Sequence, residues 1–283
     1  MGATDPTLSL NEAWQALLHA AQPRLAHPGG EAAAVADLSF SPAGWQSERP
    51  VAPEAGELLD CLAPLAARPG RLAMAQLGQS LDGRIATESG HSHYINGAES
   101  LVHLHRLRAL VDAVVVGAGT VCEDDPLLTV RHVTGPHPVR VILDPRGRVT
   151  PDRRLLRDPA TPTLHLHGEG ARPVGTAGPH VQRLALPLSE GGFAPAAVLD
   201  TLAGQGLERV LIEGGGITVS RFLEAGVLHR LHLLMAPLLI GSGRPGLAMT
   251  PIATLDQARR PASRTFRCGD DTLFDLTLDA TLP

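Results

Sequence analysis

Short apolar runs that stop at glycine constrain this chain more than any other feature. Asp112–Val116 (DAVVV) ends at Gly117, and Arg209–Glu213 (RVLIE) runs into Gly214-Gly215-Gly216. Such runs lack the alternation of a half-exposed strand, so they predict strands covered on both faces, as in a parallel sheet between helix layers. RLAMAQL from Arg71, VRVIL (139–143) and TLHLH (163–167) extend the series. Helical spacing falls between them at Glu99–Leu110, where Leu101, Leu104 and Leu107 are expected on one face, at Ala194–Ala203 and at Ile217–Ala225. Near the C-terminus, RTFRC and TLFDLTL flank Gly269-Asp270-Asp271 and predict an antiparallel hairpin at the sheet edge. The long apolar run Leu231–Ile240 reads as core. The expected fold is an α/β chain: a three-layer α/β/α domain with a mostly parallel sheet and an antiparallel C-terminal hairpin.

The first 70 residues have a different texture. An amphipathic helix is expected over Asn11–Ala21, where Leu10, Trp14, Leu17 and Leu18 fall at helical spacing and Ser9 or Asn11 could cap the turn before them. A stretch rich in Ala, Gly and Pro follows, including Pro28-Gly29-Gly30, and a second helix is expected over Glu54–Ala67, ended by Pro69-Gly70. The chain of 283 residues therefore divides into a partly helical extension, 1–70, and a main domain, 71–283. Its 24 lysine and arginine residues, all of them arginine, are scattered, and the net charge is −5, so no nucleic-acid partner is expected. Three separated cysteines without a Cys-x-x-Cys pair fit a reducing compartment. No apolar stretch is long enough for a membrane span, and a cytoplasmic location is expected.

Glycines after a strand let backbone N–H groups approach an anion, and a following helix adds its dipole. Gly214-Gly215-Gly216 before Ile217–Ala225 suits a pyrophosphate, and Gly117-Ala118-Gly119-Thr120 after DAVVV would frame the same cleft, although it lacks the third glycine of the dinucleotide fingerprint. Either cluster could equally be a tight turn. Glu123-Asp124-Asp125-Pro126 follows at once, with Arg131 beyond it. The histidine pairs 91/93, 103/105 and 165/167 offer no third ligand at a suitable spacing. No metal site is expected.

Ser80–Ala86 (SLDGRIA), Leu107-Arg108-Ala109, Gly117–Thr120, Asp124–Arg131, Glu213-Gly214-Gly215 and Ala236–Gly243 occur in one order. As a set they resemble the reductase domain of the bacterial bifunctional riboflavin-biosynthesis deaminase/reductase family, over Arg71 to about Ala280. The resemblance implies a dihydrofolate-reductase-like fold, a homodimer, and NADPH-dependent reduction of the ribosyl group of a phosphorylated aminopyrimidine to a ribityl chain. By position, Ser92, Arg108, Leu128, Arg131 and Glu213 are expected at the substrate. Gly78, Tyr94, Gly117, Gly119, Thr120, Asp124 and Gly214–Ser220 (Gly214, Gly215, Gly216, Ile217, Thr218, Val219, Ser220) are expected at the cofactor. Asp124 is the expected proton donor, with Glu213 its rival.

Arg146 and Arg148 after VRVILD could meet a 2′-phosphate, whereas Asp144 could read a free ribose diol instead. Gln76 stands where many members of that family carry lysine, and Tyr94 where tryptophan is common. No His-x-Glu with a later Pro-Cys-x-x-Cys occurs in the first 70 residues, so deamination is expected of another protein. The alternatives are a reductase of the same fold acting on a pterin, a folate or a related metabolite, and a nucleotide-binding protein without turnover.

Overall fold

The computed structural model describes residues 7–21, 37–41 and 44–278. The chain forms two units, Met1–Arg71 and Leu72–Pro283. In the first, helix α1 (Leu10–Ala21) starts on a reciprocal cap: Ser9 Oγ accepts from the Glu12 amide, and Glu12 accepts from the Ser9 amide. Strands β1 (Leu38–Ser41) and β2 (Gly44–Ser47) pair antiparallel, and α2 (Pro53–Ala66) packs on α1 with Leu59 and Leu62 buried. Trp45 Nε1 donates to Asp60 at 2.8 Å, tying β2 to α2. Both expected helices are present, and the β1–β2 pair was not read from sequence. Pro28-Gly29-Gly30 lies outside the described residues.

The second unit contains β3 (Leu72–Ser80), β4 (Arg84–Thr87), α3 (Ala98–Ala109), β5 (Ala113–Gly117), α4 (Ala118–Asp124), β6 (Val139–Asp144), α5 (Arg154–Arg157), β7 (Thr163–Gly168), β8 (Val181–Leu186), α6 (Pro195–Gly204), β9 (Arg209–Ile212), α7 (Gly216–Glu224), β10 (Arg230–Ala236), β11 (Gly243–Pro245), β12 (Ala262–Cys268) and β13 (Asp271–Thr277). Its main sheet has nine strands in the order β12-β13-β10-β3-β9-β5-β6-β7-β8. Pairing is parallel from β10 through β8 and antiparallel at β13 and β12. This is the expected three-layer α/β/α architecture with a mixed sheet. The C-terminal hairpin turns on Gly269, whose φ of +64° suits glycine.

Alternation explains the unbroken apolar runs. On one face Ala113, Val115, Val210 and Ile212 pack against Val198 and Leu202 of α6 and Val219 and Phe222 of α7. On the other, Val114, Val116 and Leu211 are equally buried, and His232 of β10 meets His103 of α3 at 2.9 Å. The leucine face expected of α3 is not found. Leu107 is buried and Leu101 is exposed, because α3 turns Ser100, His103 and Arg108 inward to polar partners instead. The run Leu231–Ile240 is core only as far as β10; Leu238 and Leu239 are exposed.

Candidate active site

The carboxyl ends of β9 and β5 lie side by side, where open α/β sheets bind ligands. Glu213 directly follows β9, and its amide donates to Val115 O at 2.9 Å. Its carboxylate takes Arg108 Nε at 2.8 Å and Nη2 at 2.7 Å, a two-point ion pair buried on both sides. Arg108 Nη1 also donates to Thr129 O, and Thr129 Oγ1 accepts from Arg131 Nη1 at 2.7 Å. The pair thus fixes the segment that carries Arg131. No carboxylate pairs with Arg131 among the described residues. Burial, then the charges of Arg108 and Arg154, lower the Arg131 pKa, which marks a place short of negative charge.

His105 accepts the Arg131 amide on Nδ1 at 2.9 Å. Burial, then the charges of Arg108, His132 and Arg131, hold its pKa down to about 3, so it is neutral. Of the histidines noted in the sequence, His103 bonds His232, and His165 Nε2 lies 3.0 Å from Asp144.

Asp124 ends α4, and Asp125 caps it in the left-handed region at φ +41° while its carboxylate accepts the Arg154 amide. Leu128 is buried at φ +55°, a strained conformation for a branched side chain and a common mark of functional segments. Asp124 as a residue is exposed, yet partial burial of its carboxyl, then the Glu123 charge, raises its pKa. The nearby charges of His93 and Arg244 oppose that rise. Arg244 of β11 pairs with Glu123, an interaction with no signal in the sequence. Ser92 and Tyr94 lie in the loop between β4 and α3, Ser92 half-buried and Tyr94 exposed at φ +66°.

The glycines divide by cause. Gly214 sits at φ +102°, and a Cβ on Gly216 would lie 2.1 Å from Gly246 O, so backbone geometry and packing require both. Close neighbours also account for Gly117, under Thr218 Oγ1, and Gly78, against the Asn96 side chain. Nothing in the protein demands glycine at 215 or 119. A Cβ on Gly215 would come no closer than 3.8 Å to Thr120 Oγ1, and one on Gly119 no closer than 3.6 Å to Arg148 Nη2. These two positions leave room for a ligand to reach the backbone. Gly215 caps α7, whose first N–H groups have no acceptor within the helix, and Ile217 beside them is 74% exposed. Thr120 Oγ1 accepts the Gly215 amide at 3.2 Å and joins the two loops. Val219 is in the core and Ser220 Oγ accepts the Ala248 amide, so their side chains support the helix rather than face the cleft.

Asp144 ends β6 with its side chain fully buried. Its carboxylate accepts from the Arg148 and Val149 amides and meets His165 Nε2. Burial alone would raise its pKa; the His165 bond and the two amides outweigh that and lower it. The alternative of Asp144 reading a ribose diol does not survive this placement, because the carboxylate is turned inward and committed. Arg146 and Arg148 remain exposed on the turn beyond it.

Residues 71–267 match the profile of the RibD C-terminal domain. A 2,5-diamino-6-ribosylamino-4(3H)-pyrimidinone 5′-phosphate reductase of Methanothermobacter thermautotrophicus is 33% identical over 70% of this chain and 94% of its own length. The riboflavin biosynthesis protein RibD of Aquifex aeolicus is 37% identical over 58% of this chain and 46% of its own, so the match spans about half of that longer protein. Among solved structures, Acinetobacter baumannii RibD superposes with a TM-score of 0.62 at 26% identity, covering 80% of this chain and 63% of that one. Together with the fold and the ordered motifs, these matches place the chain in the RibD C-terminal domain family.

Proposed function

We propose that this chain is an NADPH-dependent reductase that converts the ribosyl group of a phosphorylated aminopyrimidine to a ribityl chain in riboflavin biosynthesis. The observation that carries the reading is the bonded chain from Glu213, at the end of β9 beside the start of α7, through Arg108 to Thr129 and Arg131. Arg131, held by Thr129 and free of any carboxylate among the described residues, suits a phosphate, and the bare start of α7 suits a pyrophosphate. The name of the Methanothermobacter relative, a ribosylaminopyrimidinone phosphate reductase, agrees with that chemistry.

When bound at Gly119, Thr120 and Gly215–Ile217, NADPH would supply a hydride for the sugar C1. As the C1–O bond of the ring opens, the ring oxygen takes the bonding pair and needs a proton. Asp124 is the donor in this reading, since burial and then the Glu123 charge raise its carboxyl pKa and so favour the protonated form. Glu213 is committed at both oxygens to Arg108, so it acts as a positioning residue through that arginine. Ser92 and Leu128 line the sugar, Arg131 holds its phosphate, and Gly119, Thr120 and Gly215–Ile217 receive the cofactor. Placement of the reacting groups supplies much of the rate.

Complementation of a riboflavin auxotroph that lacks only the reductase step tests the reading, and growth is expected. Failure would favour the second reading, a reductase acting on a pterin or folate. Gln76 supports that alternative, because a neutral side chain, buried on β3, stands where many family members carry lysine. The leading reading includes a cytoplasmic homodimer, which sedimentation at micromolar concentration checks. No helix among the described residues is long and apolar enough to cross a membrane.

A further inference from the structure

We infer that Asp271, the first residue of β13, is a positioning residue for the loop between β4 and α3, the loop that carries Ser92 and Tyr94. The inference rests on the reading of those two residues as ligand contacts and adds the group that holds them in place.

Asp271 is 3% exposed, and its Oδ2 accepts three hydrogen bonds: from the Gly97 amide at 2.9 Å, from Asn96 Nδ2 at 3.1 Å and from the Ser100 hydroxyl. Burying a carboxylate is costly unless its hydrogen bonds are made, and three donors on one oxygen meet that demand. Gly97 is the N-cap of α3 and has no side chain to close the helix start, so a carboxylate 174 positions away serves there. Its negative charge also meets the positive end of the helix dipole. A carboxylate thereby holds α3 at each end, Asp271 at the start and Glu213, through Arg108, in the last turn.

Helix capping needs only Gly97 and Ser100; Asn96 carries the effect into the loop. Its Oδ1 is 1.9 Å from the position of a Cβ on Gly78, so the carboxamide fills the place of a side chain on β3. Gly78 and Leu234 are partners in the β3–β10 register, and Asn96 Nδ2 reaches Leu234 O at 3.5 Å. The carboxamide is thus clamped between two strands and Asp271. At the other end of the loop, Thr87 Oγ1 accepts the His91 amide at 3.1 Å, and the Thr87 amide donates to His91 O at 3.0 Å. Ser92, His93, Tyr94 and Ile95 span the gap between the two anchors.

That span faces the candidate site. The His93 charge acts on the Asp124 carboxyl, and Tyr94 is held at φ +66° while 95% exposed. A residue other than glycine keeps a left-handed conformation where its surroundings impose it, and here the anchors at His91 and Asn96 do so. A loop fixed in this way presents Ser92 to ground state and transition state alike. Its release therefore weakens binding and leaves the chemical step: KM rises and kcat stays.

Tyr94 is the only tyrosine in the 283 residues, so 3-fluorotyrosine labelling gives one fluorine resonance that reports this loop. The test compares that resonance, and steady-state NADPH oxidation with 5-amino-6-(5-phosphoribosylamino)uracil, in the full chain and in Asp271→Leu, Asp271→Asn, Asn96→Ala and Ser100→Ala. Asp271→Leu and Asn96→Ala are expected to shift or broaden the resonance and to raise KM for the pyrimidine by about ten-fold, the order of one lost contact, with kcat within about two-fold of the wild type. Asp271→Asn keeps an acceptor oxygen and should change both readings less. Ser100→Ala loosens α3 but not Asn96, so its melting temperature should fall while the resonance and KM stay at wild-type values. An unmoved resonance in folded Asp271→Leu or, should that variant not fold, in Asn96→Ala overturns the assignment. So does an equal shift in Ser100→Ala, or a moved resonance with unchanged KM. A wild-type chain that does not oxidise NADPH with this substrate counts against the reductase reading, and the resonance then decides the positioning role by itself.

Discussion

Arg108 and Glu213 stand 105 positions apart in the chain and meet in a buried pair of hydrogen bonds at 2.8 and 2.7 Å. The pair joins α3 to the end of β9, and its remaining donor holds Thr129, the neighbour of Arg131. Removing one partner leaves a buried charge alone, whereas replacing both removes the problem. Arg108→Met or Glu213→Gln should each lower stability by about 3–5 kcal/mol in urea unfolding. The double variant Arg108→Met/Glu213→Leu should recover most of that stability and none of the activity. Recovery of both would make the pair irrelevant to the site.

Asp124 supplies a second prediction. An acid that must carry its proton loses activity as pH rises through its pKa. The raised carboxyl therefore predicts that kcat falls across a limb lying above the ordinary value of 3.8. Asp124→Asn should lower kcat by about 10²–10⁴ and abolish this limb, with NADPH affinity retained. A variant with wild-type kcat removes Asp124 from the mechanism.

The glycines make a contrasting pair. Gly216→Ala drives a Cβ to 2.1 Å from the Gly246 carbonyl oxygen, so backbone must move, and a loss of about 1–3 kcal/mol is expected. Gly215→Ser meets nothing closer than ordinary contact and places a favoured capping residue before α7. Its melting temperature should stay near that of the wild type while NADPH affinity drops. Unchanged affinity would move the cofactor away from this helix.

How much of this was legible in the sequence depends on where the partners lie. The strands β5, β6, β7 and β9 could be read because burial on both faces demands continuous apolar runs. Strand β8 (VQRLAL) was missed, since at the sheet edge it keeps polar side chains half-exposed. The ribbon of β4 and β11 was missed because such short strands lack a period. The leucine spacing of α3 misled, because the helix buries Ser100, His103 and Arg108 against residues more than a hundred positions away. At the candidate site, the ordered motifs pointed to Arg108, Arg131 and Glu213, which the structure links through Thr129. They could not show that Glu213 is committed to Arg108, that His165 holds Asp144 inward, or that Thr129 orients Arg131.

Buried His105 predicts a pH dependence of stability. Its folded pKa of about 3 lies below the ordinary 6.5, so between those values the unfolded chain binds the extra proton. Stability should therefore fall as pH drops from 6.5 toward 3, and the loss should be complete near pH 3. His105→Asn, which can still accept the Arg131 amide, should show a shallower fall in melting temperature over that window. The same slope in the variant would assign the effect to other groups.

The most direct test of the account is the oxidation of NADPH by the purified chain on addition of 5-amino-6-(5-phosphoribosylamino)uracil, with the product identified by mass spectrometry. Stoichiometric NADPH consumption and a ribitylamino product two hydrogens heavier than the substrate are expected. NADPH that binds but is not consumed with this substrate would contradict it.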